Sequence, residues 1–421
     1  MIILRLAWQS LLNRKVTVLL TVLSIAISVA LLVGVEKVRT GAKESFLNTI
    51  SGTDLVVGSR AGAVQLLLYS VFRMGDATAN ITWETVEAIK RRPEVDWVVP
   101  IALGDSHRGF RVMGTSQSYF EHYRYRRNVP LAFGEGRQFE DLFDAVVGAE
   151  VAERLNYAVG DQIVVAHGGG RISFGQKHDD KPFTISGILA PTGTPVDKTV
   201  HISMEAMEAI HVGWESGSAP RGDAVVSAEQ VRTMDLSPKS ATALYVGLKS
   251  RMMTFSLQRW VNTYRQEAVT AILPGVAFGQ LWSILGNVET ALLVISSLVV
   301  FTALLGMVIS ILGSLNERRR EMAIMRAIGA RPAHVFGLFT VEAAALVIAG
   351  ALLGLAIVYT ALAVSRPFLE SMTGLDLPLG GPNATEFTLI FAIVIGGIVA
   401  GVIPALRAYS LSLSDGLTVR T

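Results

Sequence analysis

The side chains in this sequence that could do chemistry are histidines and carboxylates, because the 421 residues contain no cysteine. Disulfides, thiolate metal sites and cysteine nucleophiles are therefore excluded from these residues. Six of the seven histidines lie between residues 107 and 211, namely His107, His122, His167, His178, His201 and His211. His178-Asp179-Asp180 could supply metal ligands, but no close pair of histidines has ligand spacing. We therefore expect no metal site, with zinc binding as the weaker alternative.

Two glycine-containing segments, Gly160-Asp161 and His167-Gly-Gly-Gly170, resemble anion-binding loops only superficially. The sequence contains no Gly-x-x-x-x-Gly-Lys-Ser/Thr phosphate loop, no Gly-x-Ser-x-Gly nucleophile elbow and no His-Glu-x-x-His. A hairpin turn is the better interpretation of the His167 segment. We predict no catalytic and no cofactor-binding residue here, so an integral-membrane enzyme is the class that the sequence favours least.

The most basic short segment runs from Glu317 to Arg331 and lies between two long apolar runs. Its five arginines are Arg318, Arg319, Arg320, Arg326 and Arg331. Short loops rich in arginine and lysine stay on the cytoplasmic side of a membrane, so this segment fixes the orientation of the chain. Four apolar residues recur in it at helical spacing: Met322, Ile324, Met325 and Ile328. A role in topology alone would leave those apolar residues unexplained.

One carboxylate, Glu342, follows this segment inside the next apolar run, roughly 10 Å along a helix from its cytoplasmic end. A carboxylate at that depth costs on the order of 2–3 kcal/mol on insertion scales, so it needs a partner or water. A proton or substrate relay is one interpretation of Glu342. A structural tie to arginines of the adjacent segment is the favoured one.

The membrane helices also contain two pairs of small residues at four-residue spacing. Gly350 and Gly354 lie in one apolar run, and Gly397 and Gly401 lie in the next. Missing side chains let helix backbones approach closely, so we predict helix–helix contacts at these four glycines.

The elements that position these residues follow from the composition. The chain is 51% hydrophobic and 17% charged, with a mean hydropathy of +0.45, which is too apolar for an ordinary soluble protein. Its apolar residues concentrate in four runs that can each cross a hydrocarbon core of about 30 Å at about 1.5 Å per residue. The predicted organisation is an interfacial amphipathic helix 1–15, membrane helices 16–36 (continuing outward to about 50), 285–313, 335–364 and 387–404, a cytoplasmic helix 316–332, an outer loop 366–386 and a cytoplasmic tail 405–421.

A cleaved signal peptide is the alternative interpretation of the first apolar run. The run is longer than the usual signal-peptide core of about 7–15 residues, and no small-x-small site follows it. We therefore expect the first helix to remain, with both termini of the chain cytoplasmic. The outer loop contains one arginine and no lysine against Glu370, Asp376 and Glu386, which agrees with that orientation.

Residues 51–281 contain no run that could span a bilayer and form a predicted periplasmic domain. Short strands alternate with short helices, which is typical of an α+β domain. Within it we expect a helix over Thr254–Ala271. The stretches 82–125 and 242–273 look alike in kind, so a division into two subdomains is one interpretation. The fold class is therefore an integral-membrane α-helical protein with four transmembrane helices and a large α+β extracytoplasmic domain between the first two.

Four segments resemble the permeases of the MacB/FtsX/LolC-LolE class of ABC transporters, an FtsX-like family with a MacB-like periplasmic core domain. They are Leu6-Ala-Trp-Gln-Ser-Leu-Leu-Asn-Arg-Lys15, the periplasmic pieces from Val146 to Asp197, the basic segment Glu317 to Ala330 with Glu342, and Pro404-Ala-Leu-Arg-Ala408 through Leu417. The basic segment is the most specific of them.

The resemblance implies a permease dimer, formed with itself or with a sister chain, that is served by a dimeric ABC ATPase. ATP and Mg²⁺ would bind to that partner, and this chain would bind no cofactor. The residues that the resemblance places at the ATPase contact are Glu317, Arg318, Arg319, Arg320, Glu321, Met322, Met325, Arg326, Ile328 and Gly329. A periplasmic adaptor or binding protein and membrane lipid are further expected partners, and nucleic acid is not. The implied location is the bacterial inner membrane.

Three functions follow as hypotheses. The leading one is a permease that converts ATP hydrolysis by its partner into motion of the periplasmic domain (mechanotransmission), acting on a lipoprotein, peptide or drug-like substrate. The second is an FtsX-like regulatory scaffold that activates a periplasmic partner without moving a substrate. The third and weakest is a permease linked to zinc uptake.

Overall fold

The computed structural model describes residues 2–47, 49–126, 128–167, 180–214, 226–373 and 381–410. The predicted turn at residues 168–170, the residues His178 and Asp179, and the end of the chain after Ser410 lie outside the described residues. The α-helices in this part of the chain are α1 (Ile2–Asn13), α2 (Lys15–Leu47), α3 (Ala63–Ser70), α4 (Trp83–Lys90), α5 (Ser118–His122), α6 (Ala149–Leu155), α7 (Met204–His211), α8 (Ala228–Val231), α9 (Thr254–Asn262), α10 (Pro274–Glu317), α11 (Arg319–Ala327), α12 (Pro332–Thr373) and α13 (Ala384–Ser410).

The chain divides into two compact units. One, here called the membrane unit, comprises the described residues up to Gly41, those from Leu285 to Pro367 and those from 381 to 410. The other, here called the outer unit, comprises Ala42–Ile284 and residues 368–373.

Four helices among the described residues are long and apolar enough to cross a membrane: α2, α10, α12 and α13. Their apolar side chains pack into one core of the membrane unit, which includes Val29 of α2, Met307 of α10, Val347 of α12 and Ile393 of α13. The amphipathic helix α1 adds Leu11 to this core. The prediction of four transmembrane helices is thus confirmed.

The helices are longer than the apolar runs alone indicated. Helix α10 begins at Pro274 rather than 285, and α12 continues to Thr373, into the predicted loop 366–386. Helix α13 continues through Pro404 to Ser410, past the boundary at 404 that was predicted for the fourth membrane run. A proline in a membrane helix is tolerated when neighbouring helices and backbone adjustments satisfy the freed groups, and Pro404 is buried in this unit.

The outer unit is built on a mixed sheet. Its strands are β1 (Leu55–Ser59), β2 (Ile81–Thr82), β3 (Val95–His107), β4 (Phe110–Thr115), β5 (Arg124–Tyr125), β6 (Val129–Pro130), β7 (Phe133–Gly136), β8 (Asp144–Val147), β9 (Gln162–Ile163), β10 (Ala166–His167), β11 (Phe183–Leu189), β12 (Thr199–Ser203), β13 (Ser240–Ala241), β14 (Ala243–Leu248) and β15 (Val269–Ile272). The main sheet runs β15-β1-β14-β3-β4-β12-β8-β11-β7, with β10 on β3 and β9 on β11. The pairs β4–β12 and β8–β11 are parallel, and the other pairs are antiparallel.

Both faces of this sheet are covered, which explains its unbroken apolar strands. In β1, Leu55 and Val57 face one apolar cluster, whereas Val56 faces another. In β14, Leu244 belongs to the same cluster as Leu55, and Tyr245 belongs to the same cluster as Val56. Because side chains alternate across a strand, a strand buried on both faces reads as a continuous apolar run.

Two predictions for the outer unit are corrected. The stretches read as two subdomains share one sheet, since β3 and β14 pair directly with Tyr245 opposite Val99. The predicted helix Thr254–Ala271 ends at Asn262, whose side-chain Oδ1 accepts a hydrogen bond of 2.7 Å from the Ala271 backbone N–H. Residues 269–272 instead form β15, which pairs with β1 and covers an edge that would otherwise be open.

Candidate functional site

The basic segment between α10 and α12 folds as a short helix flanked by turns. Helix α11 spans Arg319–Ala327, shorter than the predicted 316–332. It ends where Gly329 adopts φ +103°, a conformation that favours glycine, and where the Ala330 N–H donates to the Met325 carbonyl at 3.0 Å. Gly329 therefore terminates the helix and turns the chain toward α12.

Helical spacing divides this segment into two faces. Arg318, Met322 and Met325 recur at intervals of four and three residues and turn toward the membrane unit, where Met322 is only 4% exposed. Ile324 and Ile328 lie on the other face and are 52% and 81% exposed. The buried positions of Met322 and Arg318 differ from the prediction that both belong to a docking surface, because the bundle core covers them. The side chains of Glu317, Arg319 and Arg320 lie outside those that the structure describes.

The inward face contains a buried ion pair. Arg318 Nη1 donates to Glu342 Oε2 at 2.9 Å, and the two residues are 6% and 4% exposed. The guanidinium also lies over the ring of Phe339, 4.9 Å from its centroid, and Arg318 Nε is 3.5 Å from the exposed carboxylate of Glu321. Charge-assisted hydrogen bonds of this length are strong, and a planar guanidinium suits both a carboxylate and an aromatic face. Glu342 thus has a charged partner, and the contact ties the start of α11 to α12.

Two further polar contacts join α2 and its preceding turn to the part of α10 that leads into α11. Arg14 Nη2 donates to the Ser314 carbonyl at 3.3 Å, and Thr21 Oγ1 lies 3.4 Å from Ser310 Oγ. The end of α10 therefore contacts both the N-terminal region and, through Arg318, α12.

The four glycines predicted to make helix–helix contacts lie at close helix crossings. A Cβ atom at Gly350 would approach Ile25 to 2.6 Å, and one at Gly354 would approach the Ala26 carbonyl oxygen to 2.6 Å. These two glycines therefore pack α12 against α2.

The second glycine pair packs α13 against α12. A Cβ atom at Gly397 would approach Val347 to 2.3 Å, and one at Gly401 would approach Ala343 Cβ to the same distance. Contacts this short exclude any larger side chain without a shift of the helices, so both pairs depend on glycine.

A second group of charged residues, which the sequence did not predict, lies where the helices leave the apolar runs at the other end of the membrane unit. The ion pairs there are Lys37–Glu386, Arg39–Glu36 and Arg39–Glu289. Glu386 belongs to the predicted loop 366–386, but it lies in the first turn of α13 with its side chain fully buried. The signal that could have found this group is the cluster of opposite charges within one turn of the apolar run, at residues 36–39.

Two histidines of the outer unit, His107 and His201, are buried in its interior. His201 is fully buried, and its burial lowers its pKa to about 3. Burial also lowers the pKa of His107, whose Nδ1 and Nε2 lie 2.7 Å from the Val164 carbonyl and 2.8 Å from the Tyr157 hydroxyl. Among the described residues no group of three histidine, aspartate or glutamate side chains could hold a metal ion.

Comparison with known proteins matches both units. The family of the MacB-like periplasmic core domain matches residues 18–246, and the FtsX-like permease C-terminal domain matches residues 293–413. A macrolide export ATP-binding/permease protein MacB from Burkholderia cenocepacia is 25% identical over 98% of this chain and 57% of its own length. The protein of the same name from Azoarcus is 25% identical over 93% of this chain and 55% of its own length. The chain thus spans little more than half the length of the curated relatives it matches.

Two solved structures are also similar, both of them extracytoplasmic domains. The periplasmic region of MacB from Actinobacillus actinomycetemcomitans is 9% identical over 56% of this chain and 95% of its own, with a TM-score of 0.33. The extracellular domain of the noncanonic ABC-type transporter YknZ from Gram-positive bacteria is 15% identical over 52% of this chain and 98% of its own, with a TM-score of 0.31.

The predicted family and the predicted fold class are both confirmed. The four apolar helices and the α/β outer unit are those of an inner-membrane protein with an extracytoplasmic domain. With the first of these family matches extending over more than half of its length, the chain belongs to the ABC transporter permeases that join a MacB-like periplasmic core domain to an FtsX-like C-terminal domain.

Proposed function

We propose that α11 is the contact through which a separate ABC ATPase drives this permease. The observation that carries the proposal is the division of α11 into an exposed apolar face and an anchored face. Ile324 of α11 and Ile328, which directly follows the helix, are apolar and largely exposed within the basic segment, which is typical of a surface that a partner covers. The opposite face is fixed to α12 through Arg318 and Glu342.

The anchored face gives the helix a way to transmit force. A rotation or push on α11 acts on α10, because Arg318 is the single residue between them, and on α12 through the buried ion pair. Helix α10 is continuous over 44 residues, about 66 Å, and only Leu273 separates its start from the end of strand β15. We propose that closure of the ATPase is passed along this helix to the outer unit.

The remaining elements of the proposed function are those that the family relationship suggests. ATP and Mg²⁺ act in the ATPase dimer, and a second permease chain, identical or a sister, completes the transporter. Both termini face the cytoplasm and the outer unit faces the periplasm, with a periplasmic adaptor or binding protein as a further partner. The substrate is proposed to be a lipoprotein, a peptide or a drug-like molecule, and the macrolide export role in the names of the relatives supports the last of these.

The test replaces the exposed apolar face with charge. Ile328→Asp alone and Ile324→Asp with Ile328→Asp should abolish co-purification of the ATPase with tagged full-length permease, since a carboxylate in a desolvated apolar contact is costly. Met234→Asp is the matched control, because Met234 is an exposed apolar residue (46%) of the outer unit. Full retention of the ATPase by the double variant, or equal loss with Met234→Asp, would contradict the proposal.

A further inference from the structure

The end of the membrane unit opposite α11 contains a buried carboxylate that contacts three polar groups. Glu386 lies in the first turn of α13 and its side chain is fully buried. Its Oε1 lies 3.0 Å from Lys37 Nζ of α2, and its Oε2 accepts a hydrogen bond of 2.8 Å from the Tyr359 hydroxyl of α12. One side chain thus joins three membrane helices.

Glu386 also closes the N-terminus of α13. The Glu386 N–H donates to Asn383 Oδ1 at 2.8 Å, and the Asn383 N–H lies 3.4 Å from Glu386 Oε1. These reciprocal contacts form a capping box, and a carboxylate in the first turn also complements the helix dipole. Moving Glu386 away from Lys37 therefore moves the end of α13 with it.

Besides Glu386, Lys37 contacts an aromatic ring and a backbone carbonyl. Its ammonium lies 5.1 Å from the centroid of the Tyr359 ring and 3.4 Å from the Gly381 carbonyl oxygen, and its side chain is 11% exposed. The adjacent residue Glu36 is neutralised by Arg39, whose Nε and Nη2 each donate to it at 2.9 Å. Arg39 thus balances the charge of Glu36, and Lys37 balances the charge of Glu386.

Arg39 makes a separate contact, with a different helix. Its Nη1 lies 3.3 Å from Glu289 Oε2 of α10. The outer end of α2 therefore has one ionic contact to α13, through Lys37, and another to α10, through Arg39. The two contacts can be removed independently of each other.

The helix contacts deeper in the bundle are apolar, unlike the ion pairs at its outer end. Glycines pack α12 against α2 and α13 against α12, in close apolar contacts that have no hydrated alternative. An ion pair does have one, because charges that separate at the end of a helix can be solvated by water, and a buried pair contributes little net stability over apolar packing. The outer ends of α2 and α13, here called the outer seam, are thus joined by an ion pair that can separate at a small cost in free energy. The glycine contacts deeper in the bundle cannot separate so easily.

From this contrast we propose that Lys37 and Glu386, with Tyr359, form a latch that closes the outer seam between α2 and α13. In the closed state the pair is dry and the two helix ends are in register. In the open state water solvates both charges, and the outer halves of α2 and α13 separate while the glycine contacts hold the rest of the bundle. This proposal goes beyond the proposed function and does not depend on the ATPase.

The test uses distances between spin labels in the full chain in lipid nanodiscs. Because the sequence has no cysteine, cysteines introduced in pairs are labelled selectively. The outer pair is Val38→Cys on α2 with Phe387→Cys on α13, at positions 50% and 60% exposed. The inner pair on the same two helices is Val16→Cys with Leu406→Cys, at positions 73% and 55% exposed.

Removal of either latch charge should open the outer seam alone. Lys37→Met and Glu386→Gln should each raise the ratio of long to short distances at the outer pair about tenfold, as expected when a charged hydrogen-bonded contact is lost, and should leave the inner pair unchanged. Tyr359→Phe, which removes one hydrogen bond and no charge, should give a smaller increase and covers the case in which a charge variant does not fold.

The matched control is Glu289→Gln, which removes the Arg39 contact at the same end of the unit and leaves Lys37 and Glu386 in place. It should not change the outer distance between α2 and α13. The proposal is overturned if the latch variants leave the outer distances unchanged, if both label pairs lengthen equally, or if Glu289→Gln opens the seam as far as Glu386→Gln does.

Discussion

The two ends of the membrane unit each contain a buried glutamate paired with a basic residue, but the pairs join different parts of the chain. Arg318 and Glu342 lie in consecutive helical segments and fix α11 to α12. Lys37 and Glu386 lie in the first and last membrane helices and meet only when the whole bundle has assembled. The first pair suits a rigid input, whereas the second suits a contact that can open.

Helix α12 connects the two ends. Glu342 and Tyr359 are 17 residues apart on it, which corresponds to about 26 Å along the helix. That length is close to the thickness of the hydrocarbon core, about 30 Å. A displacement of the inner end of α12 would therefore act near the latch, and the comparison between the two pairs can be tested at each end separately.

The largest expected effect comes from removing a carboxylate. Glu342→Ala removes the closest charged partner of the buried Arg318 guanidinium and leaves only the exposed carboxylate of Glu321 at 3.5 Å, which should lower the free energy of unfolding by about 3–5 kcal/mol. Glu386→Ala should cost less, because Lys37 is the more exposed base and its long side chain can reach water. Denaturant unfolding of both variants in lipid nanodiscs measures the difference. An equal or smaller loss for Glu342→Ala would contradict the distinction between the two ends.

Substitutions at two neighbouring glycines of α13 should change the free energy of unfolding by a smaller amount and in opposite directions. Gly397→Ala places a Cβ 2.3 Å from Val347 and should cost about 1–3 kcal/mol through overpacking. Gly396→Ala is the matched control, since a Cβ there meets Leu304 at an ordinary 3.8 Å. It should be neutral or stabilise by up to about 1 kcal/mol because alanine is the better helix former. Thermal unfolding of the two variants measures both signs, and equal destabilisation would show that the crossing at Gly397 is not specific.

Much of the fold was predictable from the sequence, because an apolar run long enough to cross the hydrocarbon core forms a membrane helix. The four helices follow from run length, and the glycine contacts follow from their four-residue spacing. Helix ends were less predictable: α13 continues past Pro404 because packing in the bundle outweighs the lost hydrogen bond. In the outer unit, Val269–Ile272 forms a strand because it pairs with β1. This pairing is a tertiary contact, so the local spacing of residues does not reveal it.

The candidate site was predictable in position but not in the direction of its side chains. The charge of segment 317–329 predicts its position. It does not predict how the helix is rotated about its axis, and the structure shows Met322 and Arg318 facing inward and Ile324 facing outward. Glu386 was missed for a related reason. Its partner Lys37 lies at the other end of the chain, and no local pattern brings the two together.

Photo-crosslinking in native membranes tests directly whether the outward face of the α11 segment binds an ATPase. A photoreactive amino acid at Ile328 should form an adduct with a nucleotide-binding protein, identified by mass spectrometry, whereas the same amino acid at Met234 of the outer unit should not. An absence of any adduct with a nucleotide-binding protein at Ile328, or an equal yield at both positions, would show that this face is not the ATPase contact.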